Sequence, residues 1–578
     1  MGEDSAGNFT KVKDVLGVIS NTPTLNVEAI TQLQNASREN QPPPPLALLH
    51  PVQLPTPVKV NRLHFYLDGY PTKLKDYLLN GFQHGFLLAY VGPHKPSSCK
   101  NLLSATQNPV AVSDKLSKEL SLGRIAGPFL ERPFPSLRIS PLGLIPKKTP
   151  GEFRLIHHLS FPYGDSINSC IPNDASTVKY ASIDDAVRLI RRTGRGCALA
   201  KTDVKNAFRL IPINPCDYDL LGFCWEDSFY FDKCLPMGAS SSCKIWESFS
   251  TALEWIAKSK LAISGVLHLL DDFLLIDKTF SACEQNLSRF LAMCDDLGVP
   301  MAPEKTMGPS SVLCFAGIEL DTDKMEARLP EEKLRKCVTL IYEFLKRKKV
   351  SLKEMQSLIG LLNFTCSVVI PGRTFLRRMI NLTVGVNRPT HLIRLTRIVK
   401  DDLKLWLEFL THFNGKSFFL DFQCLSSPHL HLYTDASGSL GYGAVFRQNW
   451  FYGPWPPSWT SKNIIVLEMF PIVISIKIWG TQLANKCITF HTDNQALSEV
   501  INKKTTKDRE LLVLLCALVL SCVQNNILFK AAHLPGVHNT KADALSRLQV
   551  TKFKSLSKDM APEPTAVPPQ LLPENWQL

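Results

Sequence analysis

Apolar residues along the chain follow two different periods, and their alternation predicts the elements. From 60 to 125 they recur at helical spacing, as in "LKDYLLNGFQHGFLLAYV" and "AVSDKLSKELSLGRIAG". Between 126 and 330 short β-type runs alternate with helical ones. From 331 to 425 the pattern is mostly helical, with "PEEKLRKCVTLIYEFLKRKK", "SLKEMQSLIGLLNFT" and "RIVKDDLKLWLEFLTHF". A second mixed α/β pattern opens at "HLHLYTDASGSLGYGAVF" and fills 426 to 548. Residues 1–59 are polar and end in "QPPPPLALLHPVQLPTPVK", which favours extended conformations over a core. Residues 549–578 are basic, then proline-rich, and are expected to be disordered. The pattern predicts an α+β multidomain chain: an N-terminal segment, a helical extension over 60–125, a mixed region, a helical region, a second mixed domain and a tail.

Composition narrows this picture. The 578 residues are enough for roughly three to five domains. A net charge of +13 and a pI near 9.0 favour a polyanionic partner. The 16 cysteines show no C-x-x-C pair and no zinc-binding spacing, so they read as free thiols of a reducing compartment. The N-terminus lacks the basic-then-apolar layout of a signal peptide. The apolar stretch "ELLVLLCALVLSCV" is shorter than the roughly 17–25 residues of a membrane span. The expectation is an intracellular protein, cytoplasmic and/or nuclear, with no membrane partner. "LKRKKVSLK" at 345–353 reads either as a nuclear import signal or, the favoured reading, as the solvated end of a helix.

The chemistry starts at "GVLHLLDDFLLID", where Asp271 and Asp272 interrupt an apolar run. Two apolar runs separated by two residues predict a hairpin with the Asp-Asp pair as its turn. Alone, such a pair is a turn. A second run, "CALAKTDVKNAF", ends a strand on Asp203. Carboxylates gathered from both would be costly together unless a divalent cation neutralised them.

"TDVKNAF" and "LLDDFLLI" resemble motifs A and C of reverse transcriptases, with Leu269 and Leu270 where the family usually has tyrosine and methionine. The resemblance implies Asp203, Asp271 and Asp272 as catalytic metal ligands for two Mg²⁺ (or Mn²⁺) ions. Further motifs follow in family order. "SPLGLIPKKTPGEFRLIHHLS" resembles the fingers hairpin, implying that Lys147 and Arg154 bind the nucleotide triphosphate. Phe208 stands five residues after Asp203, where the family places the aromatic gate that selects deoxynucleotides. "CLPMGASSSCKIWESFS" resembles motif B, with Met237 where many relatives have glutamine, and Gly238 after it. Lys305 in "VPMAPEKTM" resembles the motif D lysine, and "LCFAGIELD" with Gly317 the primer grip.

A second set of acids lies downstream: Asp435 ending a strand, Glu468 early in a helical run, Asp493 at a strand end, and Asp543 at a helix start. In this order they resemble the ribonuclease H active site, which implies two further divalent ions and a water that cleaves RNA. His538 is the favoured match to that family's mobile histidine, with His533 as the other choice.

Together these resemblances imply a right-hand polymerase of fingers and palm over 126–330, a thumb and connection over 331–425, and a ribonuclease H-like domain over 426–548. The stretches "TPVKVNRLHFYLDGYP" and "SLIGLLNFTCSVVIPGRTFLRRM" look like DIRS and Ngaro retrotransposons, which pair this enzyme with a tyrosine recombinase. No recombinase pattern occurs in this chain, so a separately encoded one is implied. The implied partners are an RNA template, a DNA primer, an RNA–DNA hybrid and deoxynucleoside triphosphates. The alternative is a host-retained, catalytically inactive relic that binds nucleic acid or a partner. The retention of all six principal acids argues against that alternative.

Overall fold

The computed structural model describes residues 54–147, 151–412, 417–418, 427–430, 432–484, 486–525, 527–533, 539–557, 559–576 and 578. The chain divides into two compact units, Met1–Met325 and Glu326–Leu578.

The first unit opens with α1 (Val60–Tyr66), α2 (Thr72–His84) and α3 (Pro109–Ser121). Leu63, Leu67, Leu74, Leu78 and Phe82 bury into the same core as Phe249 and Phe290, and Arg62 pairs with Asp296. The segment 60–125, expected to be a separate extension, is therefore part of this unit. The apolar faces of its amphipathic helices are covered from further along the unit, by Leu137, Phe249 and Phe290 among others for the first two and by Leu142, Leu144 and Phe223 for α3. Even Val58, inside the expected linker, is buried.

Strands β1 (Ile125–Phe129), β5 (Gly222–Trp225) and β6 (Ser228–Asp232) form one antiparallel sheet in the order β1-β6-β5. A separate hairpin pairs β2 (Leu142–Pro146) with β3 (Phe153–His157). The central sheet has the order β7-β8-β4-β9, built from β4 (Ala198–Asp203), β7 (Val266–Leu269), β8 (Asp272–Asp277) and β9 (Met307–Ser310). Helix α4 (Ile183–Thr193) starts on a capping box at Ser182 and Asp185. Helix α5 (Ser242–Ser259) packs on β7, and α6 (Phe280–Leu297) packs on β4 and β8. The unit closes with the hairpin of β10 (Val312–Phe315) and β11 (Ile318–Asp321), turned at Gly317 with φ +77°.

The second unit begins with helices α7 (Glu331–Lys346), α8 (Leu352–Thr365) and α9 (Arg397–His412). An antiparallel meander follows, of β12 (Leu432–Ala436), β13 (Gly441–Phe446) and β14 (Asn449–Pro454). Helix α10 (Ile464–Trp479) crosses to β15 (Cys487–Thr492), which runs alongside β12. Helices α11 (Gln495–Lys503) and α12 (Arg509–Gln524) then lead to β16 (Leu528–His533), parallel to β15. Helices α13 (Thr540–Ser546) and α14 (Val550–Leu556) follow. The 20-residue stretch Ile464–Leu483 is long and apolar enough to cross a membrane. Yet 72% of its most apolar window is buried inside the unit, as in a core helix.

Two expectations need correction here. The tail 549–578 is ordered where it is described. Trp450 Nε1 donates to Ala561 O at 2.8 Å, the Thr565 amide donates to Trp450 O at 2.7 Å, and Trp576 meets Phe470 edge-on at 6.0 Å. It opens on α14, and beyond that its prolines leave only short 3₁₀ turns among the described residues, but its spaced apolar residues still find a surface. The cysteines are not all free: among the described residues fourteen are, and Cys487 is disulfide-bonded.

Candidate active sites

In the first unit, β4 ends on Asp203, whose register partner across the sheet is Asp272, the first residue of β8. The β7–β8 turn is Leu270–Asp271, not the expected Asp271–Asp272, because Leu269 pairs with Asp272. Leu270 takes the left-handed conformation at φ +57°, which is unfavourable for a branched side chain. The turn carbonyls are held on both sides: the Val204 amide donates to Asp271 O at 3.0 Å, and Ser250 Oγ donates to Leu270 O at 2.7 Å.

Three carboxylates thus converge at one end of the central sheet. Asp203 is buried. Burial, then Asp203, raises the Asp271 carboxyl above the usual range. Burial, then Asp203 and Asp271, pushes Asp272 up to about 6. Lys305 answers this charge, its Nζ donating to Asp203 Oδ1 at 2.7 Å. Burial acts to lower the Lys305 pKa, but the attraction of Asp203, Asp271 and Asp272 outweighs it, and the net shift is upward. The segment carrying Lys305 is fixed by Ala302, whose amide donates to Asp203 O at 2.8 Å, and by the Thr202–Thr306 hydroxyl pair at 2.8 Å.

The other expected nucleotide contacts lie on several elements of the same unit. Arg154, exposed on β3, exerts a field that acts to lower the Asp271 pKa. Lys147, at the tip of the same hairpin, is paired with Glu152 at 3.0 Å and not with the aspartates. Phe208 lies on a short 3₁₀ turn (Ala207–Leu210) and packs edge-on against Trp246 at 6.2 Å. Met237 is half exposed. Gly238 is required by close approach, since a Cβ there would lie 2.1 Å from His157 O.

In the second unit, Asp435 on β12 faces Gly443 on β13. A Cβ on Gly443 would lie 2.4 Å from Leu545 Cβ, so its absence lets α13 lie against the strands. That approach brings Ser546 Oγ to donate to Asp435 Oδ2 at 2.5 Å and Asn539 Nδ2 to Thr434 O at 2.9 Å. Burial first, opposed by Ser546 and reinforced by Asp543 and Asp493, pushes Asp435 up to about 6. Glu468, buried on α10, is pushed up to about 9 by burial, then by Asp435 and Asp493. Asp543 pairs with Arg547 at 2.7 Å. A cleft of about 690 Å³ opens here, lined by Ala436, Ser437, Glu468, Asp493, Asn494 and Arg547 among others. His533 Nε2 donates to Asp493 O at 3.0 Å, whereas His538 lies outside the described residues.

Both clusters offer hard carboxylate oxygens, the donor type that Mg²⁺ and Mn²⁺ prefer. Burial and neighbouring acids hold Asp271, Asp272, Asp435 and Glu468 above the usual carboxylate range, a cost that a divalent cation at either cluster would offset. Among the described residues, however, no group of three or more His, Cys, Asp or Glu side chains is placed to hold a metal ion. In the first cluster the Lys305 ammonium pairs with Asp203.

No protein-family model matches the chain. No curated protein matches it either. Among solved structures, it is similar to the foamy viral protease–reverse transcriptase in complex with double-stranded DNA, at 15% identity and a TM-score of 0.46, covering 84% of this chain and 83% of that one. It is also similar to the same viral protein in complex with an RNA/DNA hybrid, at 13% identity and a TM-score of 0.46, covering 89% of this chain and 64% of that one.

Sequence reasoning missed Ser546, Asn539 and Gly443 around Asp435, and His268, Glu247 and Glu254 beneath the Asp271 turn. The polar residues Glu247, Ser250 and Glu254 at helical spacing on an otherwise buried α5 were the available signal.

Proposed function

We propose that this chain is an RNA-directed and DNA-directed DNA polymerase with ribonuclease H activity. In this reading it copies retrotransposon RNA into DNA and degrades the RNA strand of the resulting hybrid. The observation that carries the reading is the register pairing of Asp203 with Asp272, beside Asp271 and Lys305, at one end of an antiparallel sheet. A separate set of acids in the second unit supports the nuclease.

Asp203, Asp271 and Asp272 would hold one pair of divalent ions, and Asp435, Glu468, Asp493 and Asp543 a second pair. Such ions supply nucleophile activation and charge stabilisation in phosphoryl transfer. The chain's own residues do the rest. Arg154 and Lys147 grip the triphosphate of the incoming deoxynucleotide, with Arg154 suited to bidentate contact. Phe208 closes the sugar pocket against a 2′-hydroxyl. Lys305, whose ammonium meets Asp203 at 2.7 Å, is placed to give a proton to the leaving pyrophosphate. In the nuclease, Ser546 and Asn539 orient Asp435, and Arg547 steadies Asp543. Cationic side chains across the chain contact phosphates, so binding weakens with salt. The template selects sequence by base pairing. The element is of the DIRS or Ngaro kind.

The test is primer extension on an RNA template with Mg²⁺, comparing wild type with Asp271→Asn, alongside cleavage of a labelled hybrid by wild type and Asp493→Asn. Metal-dependent synthesis lost in Asp271→Asn, and cleavage lost in Asp493→Asn, are the expected results. A wild type that extends no primer overturns the polymerase reading, and one that leaves the hybrid intact overturns the nuclease reading.

A further inference from the structure

Helix α5 is buried along nearly its whole length, yet one stripe of it is polar: Glu247, Ser250 and Glu254. All three side chains face the β7–β8 hairpin. Ser250 holds the carbonyl of Leu270, inside the turn. Glu254 Oε2 accepts from the backbone amide of His268 at 3.1 Å and meets its ring Nδ1 at 2.5 Å. Glu247 Oε1 meets the other ring nitrogen, Nε2, at 3.2 Å.

A carboxylate can only accept a hydrogen bond when ionised. With one carboxylate at each ring nitrogen, the imidazole satisfies both only by donating twice, as imidazolium. Burial opposes that charge, and the two glutamates overcome it, carrying His268 up to about 9. Lys258 Nζ donates to Glu254 Oε1 at 2.5 Å, so the four groups sum to zero charge. Glu247 Oε2 is buried and has no hydrogen-bond partner among the described residues. An ionic cluster in a core is weak support for stability, since apolar residues of similar volume do as well or better. Its directional contacts instead fix the register and tilt of the strand they grip.

We propose that Glu247, His268 and Glu254 form a positioning clamp that sets the Asp271 turn and Asp272 against Asp203 for nucleotide transfer. This rests on the polymerase reading above. The turn needs such a clamp because it places two carboxylates beside a third and puts Leu270 at positive φ, two features that would relax if the hairpin were free. The clamp grips from α5, which packs on β7 and bonds to His268 and to the Leu270 carbonyl, so it acts on the carboxylates through the hairpin.

The test uses the full chain with His268→Gln and, as a milder change, Glu254→Gln. Expected for His268→Gln is a fall in primer-extension kcat of about ten- to a hundredfold, as for a small misplacement of reacting groups. The half-saturating Mg²⁺ concentration should rise, and KM for the deoxynucleotide should stay unchanged. Hybrid cleavage by the second unit of the same chain serves as the folding control and should remain at the wild-type level. Glu254→Gln should move the same quantities in the same direction, and it decides the matter if His268→Gln fails to fold. A role confined to stability would lower the unfolding midpoint and leave kcat per folded molecule and the Mg²⁺ dependence unchanged, which overturns the proposal. Hydrogen exchange across 266–277 separates this proposal from the polymerase reading. If the wild type extends no primer but the variant's hairpin exchanges faster than the rest of its unit, the clamp stands and the polymerase reading falls. Unchanged exchange there overturns the clamp.

Discussion

Lys305 donates to Asp203 at 2.7 Å, from a side chain 56% exposed to one only 7% exposed. The contact therefore joins a mobile, solvated cation to a fixed, buried anion, and an incoming cation can displace it. Lys305→Met should lower the thermal midpoint in EDTA by a few degrees at most, because half of the ion pair is screened by water. The same variant should gain more stability on addition of Mg²⁺ than wild type does, since no ammonium competes for Asp203. Melting curves with and without Mg²⁺ check both expectations.

The second cluster makes metal-free stability fall with pH. Asp435 and Glu468 have folded pKa values raised to about 6 and about 9, above their unfolded values. Between the unfolded and folded pKa the native state binds more protons, so the stability these groups contribute is full below about pH 4 and lost as pH rises towards 9. Urea titrations in EDTA from pH 5 to 9 should show this decline in the second unit, and saturating Mg²⁺ should flatten it.

Glu468→Gln keeps the side-chain volume and removes the cost of protonating this carboxyl on folding, which its raised pKa imposes at pH 8. It should raise metal-free stability at pH 8 by about 1–3 kcal/mol while abolishing hybrid cleavage. Denaturant unfolding and the cleavage assay together check this, and a variant less stable than wild type in EDTA would contradict the electrostatic account of Glu468.

Gly443→Ala places a methyl group 2.4 Å from Leu545 Cβ. Helix α13 must retreat, carrying Ser546 and Asp543 away from Asp435, at a cost of about 1–3 kcal/mol. Hybrid cleavage should fall by an order of magnitude or more, with primer extension retained. Comparing the two activities on one preparation reads this directly.

Truncation after residue 558 removes the segment that covers Trp450 and Phe470. It should lower the unfolding midpoint of the second unit and expose tryptophan, seen as a red shift in fluorescence. An unchanged spectrum would mean that the tail does not cover these rings in solution.

Much of this was legible in the sequence. Asp203, Asp271, Asp272, Asp435 and Asp493 stand at strand ends or turns beside apolar runs, where each alone reads as a turn or cap; it is the resemblance to reverse transcriptases and ribonuclease H that singles them out together with Glu468 and Asp543. The turn was misread because composition assigns turn conformations to aspartate before leucine. Register decided otherwise: Asp272 must pair with Asp203, so Leu270 and Asp271 are left to make the bend. The tail was misread because its prolines report the absence of regular structure, which is not the absence of order. Gly443, Ser546 and His268 carried no local signal at all, since each acts on a residue distant in the chain or across a helix–sheet interface.

Chain periodicity determined where strand-rich and helix-rich regions alternate and that Asp203, Asp435 and Asp493 fall near strand ends, because burial of apolar faces sets those periods. Only the tertiary structure decided how those ends meet: the pairing of Asp203 with Asp272, the approach of Ser546 over Gly443, and the grip of Glu247 and Glu254 on His268. Those contacts depend on distances between residues far apart in sequence, which packing sets and no local pattern encodes.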